Sequence, residues 1–301
     1  MEVMPDPAET QLVRPVFETG KHHAAQILDK IASALPHNGY DDPRRDARHV
    51  LALAMGRDEA VLPHEDIILD NGIIAQLHDC IVRRSQGEPV SRLRGRREFY
   101  GLDFSINPAT LDPRADSEVI VDTILDYADK NRPLRLLDCG TGSGCLLLAS
   151  IAHLPHAVGL GVDIQNDAVL MAQHNAEALG LSERTRFYCT SWDDGVEGQF
   201  DVIISNPPYI ASEDVNGLMK EVRLYDPIEA LDGGVDGLDA WRALGSVFST
   251  RLVDDGVVIV EIGSGQTDDV SHIMESKGLL LREERCDLAG VVRCLVFSHS
   301  L

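Results

Sequence analysis

Apolar residues recur every three to four positions through the first third of the chain. Ala24, Ile27, Leu28, Ile31 and Leu35 share one face of a predicted helix, which Pro36 and Gly39 end. Asp42-Pro43 supplies the N-cap and first turn of a second helix, with Ala47, Val50, Leu51 and Ala54 facing inward and Gly56 closing it. A third helix is expected over 72–84, with Ile73, Leu77 and Ile81 on its apolar side. The first third therefore reads as helical. From Ser91 the texture changes. The stretch 96–106 reads as a hairpin turning near Gly101. Asn107-Pro108 and Asp112-Pro113 mark irregular chain, and a helix follows over 116–127.

From Leu134 onward short apolar runs alternate with amphipathic ones. Strands are expected at 134–139, 157–163, 185–189, 200–205, 256–262, 279–286 and 291–298. Helices are expected at 144–153, 166–179, 238–252 and 266–277. That alternation implies an α/β fold, a doubly wound and mostly parallel sheet of seven strands behind a small helical domain. No helix separates the last two strands, so they should form an antiparallel hairpin at the sheet edge. The expected organisation is a disordered lead-in over 1–20, a helical domain over 21–90, a hairpin and linker over 91–115, and a catalytic domain over 116–301. No internal repeat or low-complexity tract is visible.

Asn206-Pro207-Pro208-Tyr209 directly follows the apolar run 200–205. A polar amide and two prolines thus stand past the C-terminal end of a strand, where open α/β sheets bind ligands. Two prolines fix φ twice and remove two N–H donors. The backbone carbonyls of Asn206 and Pro207, with the Asn206 side-chain oxygen, can accept bonds from a planar –NH2 group. Tyr209 could lay its ring on that group. A turn that merely stops a strand is the plainer reading, and Pro-Pro alone would favour it. The placement after a strand favours the clamp.

Asp138-Cys139-Gly140-Thr141-Gly142-Ser143-Gly144 joins a strand to a helix through a glycine-rich turn. Its spacing is G-x-G-x-G rather than the G-x-G-x-x-G of dinucleotide folds. Such a turn also occurs without a ligand. Asp163 ends the next strand, where an acid can take both ribose hydroxyls, although it could equally cap the following helix. Together they favour an adenosine-containing ligand. Asp138 could hold the amino group of a methionine moiety or simply order its loop. Trp192 could cover an adenine or be a partly exposed core residue.

Composition narrows the partners. Lys+Arg number 27 and Asp+Glu 49, a formal net charge of −22. Nucleic-acid phosphates would repel such a chain, so no direct nucleic-acid partner is expected. Hydrophobic content of 44% supports a substantial core. The six cysteines form no C-x-x-C pair and lie mostly in apolar runs, as buried reduced thiols of a cytoplasmic protein would. The histidines show no metal-binding spacing, so no metal is expected. No apolar run is long enough to span a membrane, and 1–18 lacks the apolar core of a signal peptide. Arg83, Arg84, Arg92, Arg94, Arg96 and Arg97 concentrate basic charge and form either a docking patch or an ordinary solvated linker. Asp232-Gly233-Gly234 reads as a turn, since the loop lacks the alternating acids of a calcium site.

These motifs resemble the class I S-adenosylmethionine-dependent methyltransferases, and more specifically the bacterial release-factor glutamine methyltransferases. Residues 138–144, Gly161-Val162-Asp163, Trp192 and 206–209 carry the likeness. Glu98-Phe99-Tyr100-Gly101, the stretch 111–118 and the stretch 225–239 match the narrower family. Ser117 stands where that family usually has threonine. The likeness covers roughly residues 25–298. It implies that Asp138, Gly140, Thr141, Gly142, Ser143, Gly144, Asp163, Trp192 and Asn206 contact S-adenosylmethionine, which leaves as S-adenosylhomocysteine. It also implies that Asn206, Pro207, Pro208 and Tyr209 hold the glutamine of the Gly-Gly-Gln motif of peptide chain release factors, with Asn206 and Pro207 catalytic. A ribosomal-protein glutamine methyltransferase, a nucleic-acid adenine N-methyltransferase that stacks a flipped base on Tyr209, and an inactive cofactor-binding adaptor are the alternatives.

Overall fold

The computed structural model describes residues 15–35 and 42–299. The chain divides into two compact units, 1–94 and 95–301. In the first, β1 (Gly20–His23) precedes α1 (Ala24–Ala34) and α2 (Pro43–Ala54), followed by β2 (Asp66–Leu69), α3 (Asn71–Ser85) and α4 (Val90–Arg94). The Asp42 carboxylate accepts from the N–H groups of Arg44 and Arg45, capping α2 as its sequence demands. The expected helix stops at Pro36 and Gly39 lie outside the described residues.

Three features of this unit differ from the sequence reading, one being α4, which lies where the linker was expected to begin. β1 and β2 pair antiparallel, Gly20 opposite Leu69 through His23 opposite Asp66. Four-residue strands are too short to show a period of two, and Gly-Lys-His-His has no β-forming character. Residues 15–20 are also not part of a lead-in. Phe17 is buried with Ile27, Leu51 and Ile81 in the unit's core, and its ring lies 5.5 Å from His78.

The second unit opens with a hairpin of β3 (Arg96–Phe99) and β4 (Leu102–Ser105). Tyr100 and Gly101 both have positive φ, which gives the tight turn expected near Gly101. Phe99 and Phe104 are fully buried in the core of the sheet domain, so the hairpin belongs to that domain and is more than a linker. There follow α5 (Glu118–Tyr127), β5 (Arg135–Cys139), α6 (Cys145–His153), β6 (Val158–Asp163), α7 (Asn166–Ala178), β7 (Thr185–Cys189) and β8 (Phe200–Ser205). A short α8 (Lys220–Tyr225) precedes α9 (Asp239–Arg251), β9 (Leu252–Glu261), α10 (Thr267–Glu275), β10 (Leu279–Cys286) and β11 (Val292–His299).

Among the described residues the main sheet has seven strands in the order β10-β11-β9-β8-β5-β6-β7. β5 to β9 pair parallel, while β11 pairs antiparallel with both β9 and β10. The expected antiparallel edge hairpin is therefore present. Alternate side chains feed two cores. Leu136, Val202 and Ile204 pack under α5, α6 and α7, whereas Leu137, Ile203 and Val258 pack against Trp241 and Phe248 of α9. β9 begins four residues before its expected start. Leu252 pairs with Phe200, and a bulge around Asp254-Asp255-Gly256 shifts the register before Val257 pairs with Val202.

The cysteines need a correction. Cys80, Cys139 and Cys294 are buried, but Cys189 and Cys286 are exposed at strand ends. Outward positions alternate with inward ones, and an apolar run does not reveal which is which.

Candidate active site

The strand order reverses beside β5: β6 and β7 extend the sheet to one side, and β8 adds on the other. Side chains past the C-terminal ends of β5 and β8 therefore flank the crevice that this topology creates. The glycine-rich turn follows β5 and Asn206-Pro207-Pro208 follows β8. Both line one cavity of about 310 Å³.

The turn is closed by one bond of its own backbone and by the end of the adjacent strand β6. The N–H groups of Gly140 and Thr141 both donate to the Val162 carbonyl at 2.9 Å, and Gly144 N–H donates to Thr141 at 2.8 Å. Gly144 enters α6 at φ +81°. A Cβ there would meet Leu148 Cδ1 at 3.0 Å and Ala172 Cβ at 3.2 Å, so glycine is needed for both φ and the packing of α6 on α7. Gly142 N–H and Gln165 N–H donate to the two oxygens of Asp163, each at 2.9 Å. Asp163 thus orders the turn and still presents lone pairs at the cavity wall. Burial raises its pKa against those backbone bonds.

Asp138 lies beneath the turn, 1% exposed. Thr141 Oγ1 donates to its Oδ2 at 2.8 Å, while Oδ1 has no partner among the described residues. Burial pushes its pKa up to about 7 against the Thr141 bond. An orphaned buried oxygen suits a cationic amine arriving from the cavity. Trp192 lines the wall and has φ +49°, a left-handed conformation uncommon for a bulky residue. Its ring lies 3.9 Å from where a Cβ on Gly140 would stand.

The clamp is held differently. Asn206, Pro207 and Pro208 line the cavity, but Tyr209 does not; nor do Asp138 and Gly144, which act from behind it. Tyr209 Oη donates to Glu261 Oε1 at 3.3 Å, and burial raises the phenol pKa. The Tyr209 carbonyl accepts from Gln266 Nε2 at 3.0 Å, and the same amide reaches Gly237 O at 3.3 Å. Ile210 N–H donates to Leu231, and Gly233 N–H donates back to Ile210. A Cβ on Gly233 would stand 2.8 Å from the Pro208 carbonyl and 2.9 Å from Tyr209 Cα, so only glycine lets the two segments touch. Asp232 Oδ1 accepts from Gly234 N–H and Ser212 Oγ, a turn rather than an ion site.

Sequence reasoning missed further lining of the cavity, namely Leu111, Pro113, Arg114 and Ser117. Arg114 Nη2 donates to Asp226 Oδ2 at 2.5 Å, and Asp112 N–H donates to Oδ1 at 3.2 Å. The signal lay in the stretches 111–118 and 225–239, which carry the family likeness without disclosing that they meet. Cys145 also lines the cavity, with its thiol pushed up to about 12 by burial, so it stays protonated and is a poor nucleophile.

Several arginines of the cluster are engaged within their own unit. Arg84 is buried, donating to Asp46 at 2.8 Å, and Arg83 is forked onto Glu88. Arg94 reaches the Asp58 carbonyl, Arg96 pairs with Asp103, and Arg97 lies 3.9 Å from Asp112. Counting charge along a chain does not reveal carboxylates that return from elsewhere to neutralise it.

Residues 26–95 match the "PrmC N-terminal domain" family and residues 115–225 the "Methyltransferase small domain" family. A release factor glutamine methyltransferase from Rhodospirillum rubrum is 45% identical over 275 residues, covering 90% of this chain and 83% of that one. Relatives of the same name from Agrobacterium fabrum and Bradyrhizobium diazoefficiens are 41% and 38% identical. They cover 86% and 88% of this chain and 91% of each relative. This chain belongs to the release factor glutamine methyltransferase family. As a member of that family it carries both matched domains, and its glycine-rich turn, Asp163, Trp192 and Asn206 lie within the second.

Proposed function

We propose that this protein methylates the side-chain amide nitrogen of the glutamine in the Gly-Gly-Gln motif of peptide chain release factors. The observation that carries the reading is the meeting of two motifs at one cavity: a glycine-rich turn beside an acid, and an Asn-Pro-Pro segment at the adjacent strand end. The residues fit S-adenosylmethionine. Asp138 Oδ1 offers an unpaired acceptor for its amino group, Asp163 an acceptor for ribose hydroxyls, and Trp192 an aromatic face for adenine. When bound, S-adenosylmethionine supplies an electrophilic methyl group on a sulfonium.

An amide nitrogen is a poor nucleophile because its lone pair is delocalised into the carbonyl. Asn206 Oδ1 and the Pro207 carbonyl accept its two N–H bonds, which orients the nitrogen and favours it as positive charge develops. The N–H donors that could compete at this point are absent, because residues 207 and 208 are prolines. No strong base is required, since a methylated cationic amide loses its proton readily. The helical domain is assigned to recognition of the release factor, and the enzyme is assigned to the cytoplasm. No described helix is long and apolar enough to cross a membrane.

The test is mass spectrometry of a release factor incubated with the protein and S-adenosylmethionine. One added methyl on the Gly-Gly-Gln glutamine supports the reading. Methylation of undermethylated nucleic acid or a ribosomal protein instead, with the release factor untouched, overturns it.

A further inference from the structure

Glu261 ends β9 and is 4% exposed. A carboxylate withdrawn from water is costly unless partners hold it. β8 and β9 run parallel with Ser205 opposite Val260. The next position in that register sets Glu261 beside Asn206. Tyr209 Oη donates to Oε1 at 3.3 Å. Oε2 makes no full hydrogen bond among the described residues and is open to the neighbouring amide. Burial raises the carboxyl's pKa, while the Ser117 hydroxyl, the Arg293 guanidinium, Tyr209 and the Asn206 amide oppose that rise.

These contacts bear on a question the strand end alone leaves open. The Asn206 side chain has a donor end and an acceptor end of nearly equal shape. Only the acceptor end can serve a substrate –NH2; the donor end would set N–H against N–H. We propose that Glu261 is a positioning residue that holds Asn206 Nδ2 toward β9 and so aims Oδ1 into the cavity, while it draws the Tyr209 phenol away from the cavity wall. An ionised carboxylate accepts and never donates, so it can select one amide orientation. Gln266 completes the brace from the next turn, through the Tyr209 carbonyl. The proposal rests on Asn206 being the substrate's acceptor.

The full chain is loaded with S-adenosylhomocysteine, and its affinity for a Gly-Gly-Gln peptide is measured by calorimetry. Glu261→Gln should weaken the peptide about 10-fold or more, with cofactor affinity unchanged, and Glu261→Asp should recover part of the loss. In an Asn206→Ala background Glu261→Gln should add less than about 2-fold, because the two act as one unit. A further full loss there would assign Glu261 a general structural role and overturn the proposal. Asn206→Asp sets two carboxylates side by side. Adding Glu261→Gln should then restore about 10-fold in peptide affinity, since glutamine can donate to the aspartate. This arm does not depend on the single Glu261 variant folding, and failure to restore overturns the proposal. If Asn206→Ala leaves peptide affinity intact while Glu261→Gln lowers it, the substrate reading fails. If Asn206→Ala lowers it while Glu261→Gln does not, only the positioning role fails.

Discussion

The two walls of the cavity are built by opposite means. The glycine-rich turn is closed by neighbours: Thr141 bonds Asp138, Gly144 bonds Thr141, and Gly140 and Thr141 share the carbonyl of the adjacent strand. The Asn-Pro-Pro wall lacks backbone donors of its own at its two prolines. It is held through Tyr209 by Glu261 at the end of β9 and Gln266 beyond it, and by Gly233 in the loop before α9. A wall that needs openness can be written locally in glycines. A wall that must present acceptors in fixed directions needs outside groups to hold it.

The comparison predicts separable failures. The largest effect is expected for Asn206→Ala, which should lower kcat by about 10²–10³ while cofactor affinity falls far less. Equal losses in both, read by steady-state kinetics and calorimetry, would show that the walls are not distinct. Asp138→Asn should do the reverse, weakening cofactor binding about 10-fold or more with the peptide Michaelis constant nearly unchanged.

The acid gives that variant a pH signature. In the free protein burial holds Asp138 neutral below about 7. A bound ammonium favours the carboxylate, so binding must expel a proton at low pH. Cofactor affinity should therefore rise with pH below that value and level off about one unit above it. Asp138→Asn should flatten the rise in a calorimetric titration series. A slope of opposite sign would remove the assigned partner.

Smaller effects test the remote supports. Gly233→Ala should cost about 1–3 kcal/mol through its clash with Pro208 and Tyr209, and should raise the peptide Michaelis constant with cofactor affinity kept. Arg114→Ala should raise that constant about 3- to 10-fold, because the stretches 111–118 and 225–239 lose a tie at Asp226. A loss of cofactor affinity alone in either variant would place these residues on the other wall.

Much of this was legible in the chain. Apart from the early start of β9 and the unforeseen α8, the strands and helices from Leu134 onward stand within a residue or two of where periodicity places them, because a buried parallel sheet writes near-continuous apolar runs. β1 and β2 were not legible, since four residues carry too little pattern. The arginine cluster left two readings open for a related reason: Asp46, which pairs with Arg84, lies in a different helix.

The sequence by itself determined where the two site motifs lie, the α/β alternation that surrounds them and the family likeness. These depend on local backbone chemistry, namely glycine's freedom, proline's missing donor and the period of apolar residues. Only the tertiary structure decided that β5 and β8 are neighbours, so that the two motifs share a cavity. It also turned Tyr209 away from that cavity toward Glu261, and joined Arg114 to Asp226. Those contacts link residues tens to more than a hundred positions apart, and their energy comes from burial that exists only once the sheet has formed.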